Sequence, residues 1–149
     1  MGLVIYALQF QGQSTIEGVD GNVLRTATRA RGGMHFPPYL ADDLAGVFMP
    51  DVSGEARQEL ELTFTGATTF QLVGSITFGT GVHQVHIHTA GSGYINRPAG
   101  DGCTYGAVIS WIEEGDGQFA GANGLLTSNF IVTESGEVTD YHLGVVQVR

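Results

Sequence analysis

Apolar and polar side chains alternate along most of this 149-residue chain, which is the pattern of β-strands that bury one face. In the stretch 59–65, which reads ELELTFT, the leucines and the phenylalanine share one face and the polar residues share the other. Helical periodicity is weak throughout, and residues 40–45 give its best example. The alternation predicts a single all-β domain that spans residues 1–149. We expect its strands at 3–10, 13–18, 22–30, 59–65, 70–78, 82–89, 107–113, 125–133 and 137–148.

Glycine occupies 23 positions, and this excess favours a closed barrel. Most of the glycines fall in predicted turns, such as those at 66–68, 115–117 and 134–136. Others interrupt strand patterns, where we expect them to mark bends that relieve crowding on the inner wall of a small barrel. These are Gly74, Gly106 and Gly144. An open sandwich also needs turn glycines, so it stays the alternative.

The longest segment without a strand pattern runs from Gly32 to Gly54 and is rich in apolar side chains. A segment of this length in a compact domain usually has a function of its own. Its apolar content is too high for a solvated linker, so we predict a lid or plug over one end of the barrel. An ordered crossover packed on the outside wall is the alternative.

The charge of the chain excludes several classes of function. The net charge is −9, with six arginines and no lysine, so the surface would repel phosphates and is unsuited to nucleic acid or an anionic membrane. The missing lysine excludes a P-loop and Schiff-base chemistry through a side-chain amine. With Cys103 as the only cysteine, an intramolecular disulfide and a thiolate metal cluster are excluded as well.

Targeting signals are not recognisable in the sequence. The first residues, MGLVIYALQF, have no basic region before the apolar run and resemble a strand more than a signal peptide. No apolar stretch approaches the roughly 18 residues that a membrane helix requires. We therefore expect a soluble, cytoplasmic protein.

The segment Gly115–Gly124, GDGQFAGANG, and the strand LLTSNFIV after it form the most distinctive stretch of the chain. This stretch resembles the Gly-x-Gly-x-Phe-x-Gly-Ala-x-Gly hairpin of the allene oxide cyclase barrel-like proteins, and the rest of the chain resembles them loosely. The resemblance implies a small, calycin-like, eight-stranded antiparallel barrel with a mostly apolar cavity. It also implies a dimer or trimer, and cyclisation or coupling of a hydrophobic substrate without a bound cofactor. The hairpin itself is expected to be structural.

Three residues are predicted to be catalytic. His35 lies in the lid segment, and a histidine titrates near neutral pH, as an acid–base group should. Tyr39 lies in the same segment and could donate a hydrogen bond to a carbonyl or epoxide oxygen. Glu17 ends an early strand, where the resemblance places an acid. The alternative for His35 is a hydrogen-bonded loop histidine, and the alternative for Tyr39 is a hydrogen bond to a backbone group.

The histidine-rich strand VHQVHIH places His86 and His88 on one face. Exposure on the outer wall, a polar cluster in the cavity, and a metal site completed by His142 or Glu17 are the three interpretations, in that order of preference. A glutamate that follows such a pair in cupin-type sites is missing here, so no metal is predicted. The predicted substrate-binding residues are Phe36, Phe48, Tyr94, Trp111, Asn129, His86 and His88.

Together these observations predict a cyclase or isomerase without a cofactor, acting on a hydrophobic small molecule in an apolar barrel cavity. Such an enzyme would hold a flexible substrate in its reactive conformation. Because several strands are apolar on both faces, we expect a homodimer or homotrimer. A lipocalin-like binding protein without catalysis is the alternative, and a metal enzyme with histidine ligands is less favoured.

Overall fold

The computed structural model describes residues 2–30, 56–79 and 82–149. The predicted lid at 32–54, with His35, Phe36, Tyr39 and Phe48 and the helical signal at 40–45, lies outside the described residues. Within those ranges the chain forms nine strands and one short 3-10 turn at Gly117–Phe119. The strands are β1 (Gly2–Glu17), β2 (Val23–Ala30), β3 (Arg57–Phe64), β4 (Thr69–Phe78), β5 (His83–Thr89), β6 (Gly93–Asn96), β7 (Thr104–Asp116), β8 (Asn123–Val132) and β9 (Glu137–Val148).

The strands close into one antiparallel barrel. β1 pairs with both β2 and β9, and β3 pairs with β4. These pairings join the first three strands to the later ones at both edges, so the ring is closed. β5 and β6 occupy the same place between β4 and β7, one after the other, and act as one interrupted strand. The predicted eight-stranded antiparallel barrel is therefore confirmed, and the open sandwich is wrong. The described residues contain no helix long and apolar enough to cross a membrane.

Three strands differ in extent from the sequence prediction. β1 is continuous where two strands were predicted, because Gly12 lets the chain pass close to the backbone carbonyl of Ala27. β7 continues through Asp116, where a turn was predicted, and Glu114 in this region has a φ of 64°. The strand β6 was not predicted, since four residues among glycines carry too little alternation. The predicted turns at 66–68 and 134–136 are confirmed.

The inner faces of the strands form one apolar core. The glycine-rich hairpin adds to it, since Phe119 is buried and its ring lies 5.2 Å from that of Phe78, as expected of a structural hairpin. Burial of these side chains is the main stabilising contribution to the fold. The largest of them include Phe10, Leu62, Phe70, Leu72, Ile76, Phe78, Ile112, Leu126 and Phe130.

Aromatic rings cover glycines on the inner wall. Phe130 lies directly opposite Gly106 on the neighbouring strand, and Tyr6 lies opposite Gly144 in the same way. A Cβ atom at either glycine would overlap the ring. A third such pair is Phe70 over Gly93. The glycines at 106 and 144 thus relieve crowding on the inner wall by making room for a ring from the next strand.

We expect Gly106→Ala to lower the free energy of unfolding by about 1–3 kcal/mol, because the added methyl group overpacks the core against Phe130. The same change in a Phe130→Leu background should cost less, since the ring is gone. Urea unfolding of the wild type, both single variants and the double variant measures this coupling. An equal cost in both backgrounds would contradict the packing explanation.

Candidate functional site

Polar side chains form a cluster inside the otherwise apolar barrel. We call this set the interior polar cluster, and each member is at most 4% exposed. Its members come from β2, β3, β8 and β9, at positions where the alternation of each strand directs the side chain inward. Buried polar groups are expensive unless they are hydrogen-bonded, so their pairing decides what the cluster can do. The members are Thr28, Gln58, Ser128, Asp140 and His142.

The carboxylate of Asp140 is the centre of the interior polar cluster. The hydroxyl of Ser128 donates to Oδ1 at 2.5 Å, and the amide of Gln58 donates to Oδ2 at 3.1 Å. His142 Nε2 lies 2.9 Å from the same Oδ2 atom. Thr28 fixes the amide by donating to Gln58 Oε1 at 3.2 Å. Three donors therefore surround the buried carboxylate and compensate for its lost hydration.

The surroundings of His142 select one tautomer of its ring. A carboxylate oxygen accepts only, so the Nε2 atom must carry the proton that faces Asp140. The amide nitrogen of Gln58, which is 3.1 Å from Nε2, then directs one of its two hydrogens to the carboxylate. The Nδ1 atom, which carries a lone pair in this tautomer, has no hydrogen-bond partner among the described residues. The result is a buried imidazole that is oriented by a carboxylate and has one basic nitrogen available.

Two further polar atoms in the core have no hydrogen-bond partner within the described ranges, the hydroxyl oxygens of Tyr6 and Ser110. Tyr6 lies opposite Gly144, which is two residues beyond His142 on the same face of β9. Ser110 lies in the same cross-strand row as Tyr6 and Gly144, because Leu126 pairs with both Ser110 and Gly144. The register therefore makes Tyr6 a diagonal neighbour of His142 across β1 and β9, whereas Ser110 lies two strands away from His142 on the same inner wall.

Burial raises the pKa of Tyr6, and the negative charge of Asp140 raises it further. The phenol therefore stays protonated and keeps its ability to donate a hydrogen bond. Each buried group without a partner costs about 1–3 kcal/mol, so two neighbouring groups without one among the described residues, Tyr6 and His142, call for an explanation other than stability. Hydrogen bonding to a ligand is such an explanation.

The predicted acid Glu17 does not belong to this interior. Its side chain is 49% exposed and pairs with Arg25, which also lies 2.7 Å from Glu61. This three-residue ion cluster lies at the outer surface of β1, β2 and β3. It resembles a solvated charge network more than a catalytic group.

Five predicted substrate-binding residues lie on the outer wall. His86 and His88 are half exposed there, at 3.4 Å from Asp116 and 3.9 Å from Glu113. The other three are exposed as well, so a ligand inside the barrel would contact none of the five; they are Tyr94, Trp111 and Asn129. Across the described ranges, no three histidine, cysteine or acidic side chains gather in a group that could hold a metal ion.

Sequence reasoning named His142 only as a possible metal ligand and missed its partners. The last strand, EVTDYHLGVVQV, carries a partial signal, since Asp140 and His142 follow the same alternation as Val138 and Val146. Two polar residues in the apolar row of a strand are unusual and indicate a buried polar site. The inner row could not be recognised, because the outer row of this strand is also apolar.

Comparison of the chain with family models, with curated proteins and with solved structures found no match.

We expect Asp140→Asn to lower the free energy of unfolding by about 2–4 kcal/mol, because an amide group would face the donors of Gln58 and His142. Urea unfolding measures the loss. Asp116→Asn is the matched control on the outer wall and should change stability by less than about 0.5 kcal/mol. Equal effects of the two substitutions would contradict the role given to the Asp140 carboxylate.

We expect Tyr6→Phe to leave the stability at pH 7 unchanged or slightly higher, because the lost hydroxyl has no partner among the described residues. The pKa of Tyr6 is higher in the folded chain than in the unfolded one. The contribution of protonated Tyr6 to the free energy of unfolding is therefore complete below about pH 10. Above that pH the free energy of unfolding falls by about 1.4 kcal/mol per pH unit, because Tyr6 ionises in the unfolded chain.

Tyr6→Phe removes this alkaline loss, whereas Tyr141→Phe, which alters an exposed tyrosine, should retain it. Urea unfolding of the three proteins at pH 8 and at pH 11 makes the comparison. A large destabilisation by Tyr6→Phe at pH 7 would show that the hydroxyl is already paired.

Proposed function

We propose that the protein is an isomerase or cyclase that needs no cofactor and acts on a hydrophobic small molecule bound inside the barrel. The observation that carries this proposal is His142, which is buried and oriented by Asp140 and whose Nδ1 atom has no partner among the residues that the structure describes. A carboxylate that holds an imidazole in one tautomer is the usual way to prepare a general base.

The groups around His142 match proton transfer next to a carbonyl group. His142 Nδ1 takes a proton from the carbon beside the carbonyl, and the electron pair moves to the oxygen as an enolate. The Tyr6 hydroxyl, which stays protonated, donates a hydrogen bond to that oxygen. The protonated imidazole then returns its proton to another carbon of the same molecule. No atom or electron is gained or lost overall, so the reaction is an isomerisation.

The composition of the interior restricts the substrate. The wall around the cluster is made of aliphatic and aromatic side chains, which favour an apolar ligand. The buried carboxylate of Asp140 and the net charge of −9 disfavour an anion at this place. We therefore propose a neutral, apolar molecule with one carbonyl or related oxygen. A cytoplasmic location fits a chain whose one cysteine, Cys103, is unpaired.

The experiment measures proton transfer directly. A series of apolar β,γ-unsaturated ketones is incubated with the protein in D₂O, and deuterium incorporation and conjugation are followed by mass spectrometry and absorbance. We expect His142→Gln to slow the exchange at least about 100-fold, because the general base is lost. The affinity for an apolar fluorescent probe, N-phenyl-1-naphthylamine, should stay within about threefold, since the wall is unchanged.

Two controls separate the alternatives. Glu17→Gln, on the outer surface, should leave both the exchange and the probe affinity unchanged. Probe binding without exchange of any ketone would favour the lipocalin-like binding protein over the enzyme. Exchange that His142→Gln does not alter would contradict the proposal.

A further inference from the structure

We propose that the outer wall formed by β6, β7, β8 and β9 binds a second copy of this chain in a two-fold contact. This wall exposes many large apolar side chains, and we call it the apolar outer face. Its largest members are between 39% and 62% exposed. They are Tyr94, Tyr105, Ile109, Trp111, Leu125, Tyr141, Leu143 and Val145.

Strand register makes the apolar outer face continuous. Trp111 pairs with Leu125, and Leu125 pairs with Val145, so these three side chains form one row across three strands. The next row runs from Ile109 through Thr127 to Leu143. No outward position at 105–111, 125–131 or 139–147 carries a charge.

The opposite side of the same barrel shows how a wall that faces water is built. The outward positions of β2 and β3 carry five charged residues. Both walls belong to one sheet with the same alternation, and the chain carries a net charge of −9. The absence of charge is therefore particular to the apolar outer face and is not a general feature of the barrel surface. Exposed apolar patches of this kind mark sites of association. The five charged residues are Arg25, Arg29, Arg57, Glu59 and Glu61.

The size of the apolar outer face suits a stable dimer. Four strand positions, from β6 to β9, and eight residues along β9 give a patch of about 19 Å by about 26 Å measured along the curved wall, or roughly 500 Å². The protruding side chains raise its accessible surface toward the roughly 800 Å² that each partner buries in an interface of standard size. Tyrosine and tryptophan are also the residues that such interfaces favour.

Charge and shape identify the partner as a second copy. Two chains of charge −9 repel each other, and the repulsion is smallest for a contact through this face, whose outward positions at 105–111, 125–131 and 139–147 carry no acidic residue. The face also holds a depression of about 500 Å³ between Tyr94, Tyr105 and Tyr141, over the small residues Gly106 and Ala107. Trp111 is exposed on the same face, about 17 Å along β7 from Gly106 in the depression. A two-fold axis near Ile109, between the two, places the tryptophan of each copy in the depression of the other.

Sedimentation equilibrium over a concentration series tests the proposal, which does not depend on the proposed function. We expect a dimer for the wild type. Leu143→Arg and Ile109→Arg should weaken the dimer at least about 30-fold, because each buries an unpaired charge at the centre of the contact. Val19→Arg, which makes the same charge change at a fully exposed turn, should leave the dimer intact. Circular dichroism melts check that every variant folds.

A wild type that stays monomeric throughout the series would overturn the proposal and would mean that something other than this chain covers the face. An oligomer whose mass is unchanged in both arginine variants would overturn it as well. A trimer would overturn the two-fold arrangement.

Discussion

Closure of the sheet into a barrel determines which side chains lose contact with water, and the other features follow from it. Every second residue of each strand faces a small interior, so bulky and small residues must alternate around the ring. The Gly106–Phe130 and Gly144–Tyr6 pairs meet that requirement by placing a ring over a position without a side chain. Any polar residue in an inward row must find its partners inside the barrel. Asp140 does so through Ser128, Gln58 and His142.

The interior polar cluster is half satisfied, and this division is informative. The side of the cluster around the Asp140 carboxylate has all the donors it needs. The Nδ1 atom of His142, like the hydroxyl of Tyr6 on the neighbouring strand, has no hydrogen-bond partner among the described residues. A cluster kept only for stability would pair both sides or replace both with apolar groups. The paired side fixes the orientation of the imidazole, and the unpaired side is free to act on a ligand. This division of roles is the basis of the proposed acid–base function.

The sequence predicted the barrel well because alternation and turn glycines are local signals. It predicted the site poorly, and the structure shows the physical reason. Tyr141 and Leu143 on the outer row of β9 are as apolar as the inner row, so period two could not tell which row was buried. Asp140 was therefore not recognised as an inward residue, and outward residues such as Trp111 were assigned to the cavity. The apolar outer face, which kept the inner row of β9 from being recognised, is also the surface that we propose binds a second copy.

The central claim is that Asp140 holds His142 in the tautomer with an unpaired Nδ1 atom. Nitrogen-15 NMR of protein labelled at histidine tests it most directly, with the His142 signals assigned by their loss in His142→Gln. The account predicts a proton on Nε2 and none on Nδ1, and a change at Nδ1 when an apolar ketone is added. A ring that carries its proton on Nδ1 would contradict the account.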